Sequence, residues 1–232
     1  VYLVILAGSI VRMTGSGMGC PAWPKCFGLL IPPTNAEQIE WKENTNYNSG
    51  MIIKHDDKFM VAKHNFKSNK EFQKSNWRNY DKHNYTDFNP TKTWIEYINR
   101  LLGAIAGIFT LIMLILSIKI YKQNKTIFFI SLLIVIGMGF QAWLGKLVVD
   151  SNLDVYKITL HMIVALIIVS LIIYLIFISS KNNEKHMLDK RFIKNLTYIS
   201  IILTLIQIYT GTQVREYIDY QYEVLGPEYK YL

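Results

Sequence analysis

Five apolar runs dominate this chain, at about 1–11, 101–120, 126–149, 156–180 and 196–211. Each complete run approaches the roughly 20 residues that a helix needs to cross a bilayer. A chain that gathers its apolar residues in this way is an integral membrane protein, not a soluble domain with a large core. The predicted helices cover about 94–121, 127–149, 156–180 and 195–213, after a first one that ends near Val11. The first run, of about 11 residues, is too short to span, and no initiator Met precedes it. About ten residues of that helix are therefore expected to lie before Val1. A cleaved signal peptide fits less well, because Val11 is followed by Arg12 and a Gly-rich loop instead of a small-residue cleavage site.

The net charge of +8 bears on topology before it bears on nucleic acid. Short loops rich in Lys and Arg stay in the cytoplasm. That places the 119–125 and 181–194 loops inside. The loop carrying the cysteines, the 150–156 turn and the segment after Val214 are then outside. The polar stretch 31–92 is exempt from the charge rule because of its length. It is rich in Asn and Lys, and it is either a small cap domain or partly disordered. His55, His64 and His83 lie in it without a partner at metal-like spacing, and are expected at the surface.

Thr93 to Gly107, TWIEYINRLLGAIAG, is the most informative stretch. It places Glu96, Asn99 and Arg100 within the first turns of a spanning helix. Ionisable groups in a span are costly and face a bundle interior or a cavity, so they mark a functional site. At 3.6 residues per turn, Glu96, Asn99 or Arg100, Gly103 and Gly107 share one stripe. The lower part of that stripe has no side chains, and can receive a planar ligand or another helix. Helix packing through Gly103 and Gly107 explains the glycines equally well. The carboxylate is harder to explain by packing.

Cys20 and Cys26 are the only cysteines, separated by five residues. Zinc pairs are usually closer and need further ligands. A disulfide or a redox-active dithiol in an oxidising space is the better reading, with two unpaired thiols as the alternative. Asn99 and His161 each fall five residues inside a helix entering from outside, roughly 8 Å below the boundary at about 1.5 Å per residue. Arg12, Lys146 and Gln141 reach similar depth from helices travelling outward. One pocket in the outer third of a four-helix bundle is expected to collect them.

Gly8-Ser9-Ile10-Val11-Arg12 and Gly211-Thr212-Gln213-Val214-Arg215 match in pattern at the ends of the first and fifth helices. The inferred fold is all-α: a four-helix transmembrane bundle plus the first helix of a duplicated second bundle. The domains are 1–180, with 31–92 as a polar insertion, and 195–232 as the start of an incomplete second half. His161 is the only histidine in a span. A lone histidine on an apolar face is more often structural than a ligand. Its neighbours change that balance: imidazole is a common axial ligand of haem iron, and Arg12 and Arg100 can pair with propionates. Bundle cores commonly hold such cofactors.

GSIVRMTGSGMGCPAWPKCFG, WIEYINRLLG, QAWLGKLVV, LHMIVAL and TGTQVRE occur in this order. Together they resemble the haem A synthase family, over nearly the whole chain outside 31–92. The resemblance implies two four-helix halves and oxidation of a methyl group of haem O to the formyl of haem A, for the terminal oxidase. It implies that Glu96 is the catalytic glutamate, that His161 is an axial ligand, and that Cys20 and Cys26 are the outer-loop pair. Asn99 stands where the family pattern Glu-x-x-His-Arg has histidine, which puts a second axial ligand in doubt. A haem b is expected in the second half, beyond this chain, so the chain alone is expected to be inactive. The implied partners are haem O, haem O synthase, a quinone or other electron acceptor, the lipid bilayer and a second copy of the chain. Nucleic acid is not among them. The implied location is the inner (plasma) membrane, with the Cys loop on the extracytoplasmic side. Two other classes fit the residues without the resemblance: a b-type cytochrome that only passes electrons, and a transporter or assembly factor in which Glu96 and Arg100 pair structurally.

Overall fold

In the computed structural model, residues 1–56, 58–80, 88–151, 153–180 and 190–225 are described. Five α-helices occur among them: α1 (Tyr2–Met13), α2 (Pro90–Lys119), α3 (Lys125–Asp150), α4 (Val155–Ser179) and α5 (Lys190–Leu225). Among the described residues, α2, α3 and α4 are long and apolar enough to cross a membrane, at 30, 26 and 25 residues. The protein is mostly helical, with three helices compatible with a membrane protein. Each of the three begins at an amide or carboxylate cap. Asn89 Oδ1 accepts the Lys92 amide, Asn124 Oδ1 accepts the Thr126 amide, and Asp154 Oδ1 accepts the Tyr156 amide. Such caps satisfy a backbone donor that has no intrahelical partner. Pro90 then fills the first position of α2, where its missing N–H costs nothing.

The helix boundaries follow the expected ones closely, with two exceptions. Expected as a span over about 195–213, α5 continues to Leu225 and is not among the three long apolar helices. Gln207, Thr210, Thr212 and Gln213 dilute its apolar run. The matched ends of α1 and α5 also behave differently. After Arg12 the chain leaves the helix at Met13, and Gly15 turns at φ +61°. After Arg215 comes a run with no Gly or Pro before Gly226, and the helix carries on. The basic 181–194 loop lies largely outside the described residues, as does His83.

The described part of residues 31–80 is a small β-structured cap, and 81–87 of the expected 31–92 insertion lie outside the described residues. Strands β1 (Asn46–Tyr47) and β4 (Phe66–Lys67) pair with each other. Strands β2 (Ile52–His55), β3 (Lys58–Ala62) and β5 (Trp77–Asn79) form an antiparallel sheet in the order β2-β3-β5. In β3, Phe59, Met60, Val61 and Ala62 are all buried, because both faces of the sheet are covered. Side chains alternate across a strand. Phe59 and Val61 therefore join Cys20, Cys26, Phe27, Ile39 and Ile52 in one core, while Met60 and Ala62 join Tyr47, Ile53 and Trp77 in the other. Tyr97 of α2 packs against the first core. The cysteine loop thus sits between the sheet and the start of α2.

The chain divides into two compact units, Val1–Phe109 with Gly145–Asn152, and Thr110–Leu144 with Leu153–Leu232. In the second, a Cβ at Gly137 of α3 would stand 3.1 Å from Ile168 of α4. The close helix approach is therefore at Gly137. Among the described residues, no atom beyond the neighbouring backbone of α2 lies within 4 Å of a would-be Cβ at Gly103 or Gly107.

Candidate functional site

The first unit is organised by a knot of hydrogen bonds between the cysteine loop and the start of α2. Cys20 and Cys26 form a disulfide, with 4.8 Å between their Cα atoms. Phe27 and Gly28 then turn the chain with φ of 56° and 79°, closed by reciprocal backbone bonds between Cys26 and Leu29. Two left-handed residues in succession make the tight hairpin turn that glycine usually serves. Phe27 is held there by burial at 0% exposure and by ring contacts with Phe59 and Phe88. Gly19 lies so close to α2 that a Cβ would fall 2.4 Å from the Lys92 carbonyl oxygen. One residue on, the Thr93 hydroxyl donates to the Gly19 carbonyl at 2.8 Å.

Glu96 follows at the next turn and is 3% exposed. Its Oε2 accepts the Cys20 backbone N–H at 2.7 Å, and its Oε1 pairs with Arg100 Nη2. Arg100 also donates from Nη1 to the Ala22 carbonyl at 2.7 Å and from Nη2 to the Cys20 carbonyl at 3.1 Å. This guanidinium, a cation expected to seat a propionate, also serves within the protein. The reason is its reach: one planar fork spans the carboxylate and two loop carbonyls at once. Asn99 lies on the same face, with its Oδ1 buried and without a hydrogen-bond partner. Gly8 of α1 approaches it, since a Cβ there would lie 3.8 Å from Oδ1. Arg12 is half-buried in the last turn of α1, where a cation favours the helix dipole. Lys146, expected to face inward, is exposed.

The second unit holds His161. Its carbonyl accepts from Gln141 Nε2 at 2.8 Å, joining α3 to α4 as their shared depth predicted. His161 Nδ1 and Gln141 Oε1 are buried and have no hydrogen-bond partner among the described residues. Buried polar groups are nearly always satisfied, so two unsatisfied ones in one place mark a position that a ligand or water completes. Thr212, 1% exposed, bonds Thr159 across α4 and α5 at 3.1 Å. Of the cap histidines, His64 is exposed, as expected, whereas His55 stacks on Phe72 with ring centroids 3.8 Å apart. Among the described residues, no three His, Cys, Asp or Glu side chains cluster to hold a metal ion. A single imidazole with an unpartnered ring nitrogen suits the iron of a macrocycle, which brings its own equatorial ligands. The donor chemistry on α4 therefore fits haem.

Sequence signals for Glu96, Arg100, His161, Gln141 and the cysteines were available as polar residues in or beside apolar runs. Thr93 and Gly19 carried no such signal, because both act through backbone proximity between distant segments.

The chain matches the profile of the cytochrome oxidase assembly protein family over residues 1–73 and again over 48–222. Relatives named heme A synthase include that of Bartonella tribocorum, 24% identical over 91% of this chain and 53% of its own length. That of Pelagibacter ubique is 27% identical over 88% of this chain and 56% of its own length. That of Shewanella oneidensis is 25% identical over 75% of this chain and 40% of its own length. The chain spans about half the length of the relatives it matches. No solved structure matches it. With the family profile covering well over half of the chain, the protein belongs to the COX15-CtaA family of cytochrome oxidase assembly proteins, the haem A synthase family.

Proposed function

We propose that this chain forms part of a haem A synthase-type oxidoreductase, which oxidises a methyl group of haem O to the formyl of haem A for a terminal oxidase. The observation that carries this proposal is Glu96, a carboxylate 3% exposed inside a helix long enough to cross a membrane. Oxidising a methyl carbon releases protons, and a positioned carboxylate can accept and pass them. A carboxylate offers about four acceptor positions, so the contacts to Cys20, Gly19 and Arg100 still leave capacity for a proton or a water.

His161 is the residue that would hold the iron of the haem substrate, through its unsatisfied ring nitrogen. When bound, that haem would supply the redox-active iron and the methyl to be oxidised, with water giving the formyl oxygen and a quinone or other acceptor taking the electrons. Gly103 offers an open, flat surface on α2. Arg12 is the cation assigned to a propionate. An amide is not a usual iron ligand, so Asn99 is assigned to hydrogen-bond a ligand or water through its unsatisfied oxygen.

The test is Glu96→Ala in the protein expressed from its complete gene, with extracted haems separated by chromatography. A positioned proton-transfer group contributes about 10²-fold or more. Haem A should fall by that order while haem O accumulates; undiminished haem A would remove Glu96 from the mechanism. A second reading comes from the contacts of Arg100 with the Ala22 and Cys20 carbonyls. They suit a purely structural pair in an assembly factor. That role predicts that Glu96→Ala lowers the amount of protein and leaves haem A per molecule unchanged.

A further inference from the structure

Cys20 has both of its peptide groups committed to one ion pair. Its N–H goes to Glu96 and its carbonyl to Arg100. Its side chain is bonded to Cys26, which the Phe27–Gly28 turn and the surrounding core hold in place. The path from disulfide to carboxylate is therefore a single residue long. Arg100 closes the circuit, because it grips Glu96 and two carbonyls of the disulfide loop with the same guanidinium.

We propose that Arg100 is a positioning residue that couples Glu96 to the Cys20–Cys26 disulfide, so that the carboxylate keeps its place only while the loop is oxidised. The inference rests on Glu96 being the working carboxylate. Opening the disulfide frees Cys20 to move, and both of its bonds to the pair weaken together. Coupling of this kind is reciprocal. If the disulfide orders the pair, the pair must favour the disulfide by the same factor. Lysine at position 100 would keep the charge opposite Glu96 but would lose the fork that spans the two carbonyls.

The protein, expressed from its complete gene and held in detergent, is equilibrated across ratios of reduced to oxidised dithiothreitol. Free thiols are then counted by a maleimide gel shift. Arg100→Gln and Glu96→Gln should each make the disulfide easier to reduce by about fivefold or more, the lower range of typical coupling. Arg100→Lys should fall between them and the wild type. Should Arg100→Gln fail to accumulate, the near-isosteric Glu96→Gln decides the matter. Midpoints within about twofold of wild type for the variants that fold would overturn the coupling. The reciprocal arm labels Glu96 with dicyclohexylcarbodiimide, read by mass spectrometry. Labelling of the wild type should rise several-fold when the disulfide is reduced; equal labelling in both states would also overturn it. Neither readout involves haem. Unchanged haem A in Glu96→Ala would remove Glu96 from the mechanism without moving either readout, whereas an unshifted titration would sink the coupling alone.

Discussion

Thr93 shows how much a single hydroxyl can hold. It is 0% exposed, and its one side-chain bond satisfies the Gly19 carbonyl where the loop meets α2. Thr93→Val preserves shape and removes that bond. An acceptor left unsatisfied in a buried place costs about 1–3 kcal/mol. The substitution should lower the thermal unfolding temperature measurably, whereas Thr93→Ser should largely restore it. Tyr47 offers a second residue-scale test, outside the helices. Burial raises its phenol above the ordinary value near 10, opposed by the hydrogen bond with the Lys42 backbone. The folded cap therefore prefers the protonated phenol. Its stability should hold up to about pH 10 and fall as pH rises from there towards the raised value. Alkaline unfolding followed by tyrosine absorbance would show the phenol ionising with the loss of structure; ionisation at the free-tyrosine pH with the cap intact would contradict it.

At the scale of elements, the cysteine loop and the cap depend on close backbone approach and on aromatic packing. Gly28 has φ +79°, and a Cβ there would lie 2.6 Å from the Met51 Cα. Both the conformation and the space exclude a side chain, because the two nearest atoms, the Met51 Cα and the Gly50 carbonyl oxygen, are backbone. Gly28→Ala should therefore destabilise the cap by more than about 1 kcal/mol, because an alanine forced to positive φ loses more than it gains at a compatible site. Limited proteolysis of residues 31–80 would read the effect. Trp77 is 2% exposed and meets the Tyr47, Phe66 and Phe72 rings. Trp77→Ala should cost about 3–5 kcal/mol and open the second core. The bond between Glu96 and the Cys20 amide lies in the other core region, so cleavage of the cap and reduction of the disulfide should separate.

At the scale of the whole molecule, orientation in the membrane is the property open to direct test. The basic residues Lys119, Lys122 and Lys125 flank the α2–α3 connection, which assigns that loop to the cytoplasm. On that assignment we propose that the Cys20–Cys26 loop faces the other side, where an oxidising space would suit its disulfide. In intact cells, an impermeant maleimide should modify a cysteine placed at Leu30, which is exposed just after the disulfide loop. A cysteine placed at Gln123 should be modified only after lysis. Reversed labelling would invert the topology and remove the oxidising compartment from the account.

The sequence alone determined the helices, because an apolar run of some twenty residues leaves lipid-compatible backbone few alternatives. It also singled out Glu96, His161 and the cysteines, since polar chemistry within apolar surroundings stands out without coordinates. The starts of α2, α3 and α4 are set by caps at Asn89, Asn124 and Asp154, and the apolar pattern alone placed the start of α2 some residues late, at about 94. Only the tertiary structure decided that residues 31–80 make a sheet with two cores. Its strands are short, and β3 is buried on both faces, so no alternation betrays it. Only the tertiary structure committed Arg100 to the loop, located the close helix approach at Gly137, and turned Lys146 outward. Those outcomes depend on which distant backbone atoms come within a few ångströms, and the order of residues along a chain does not carry that distance.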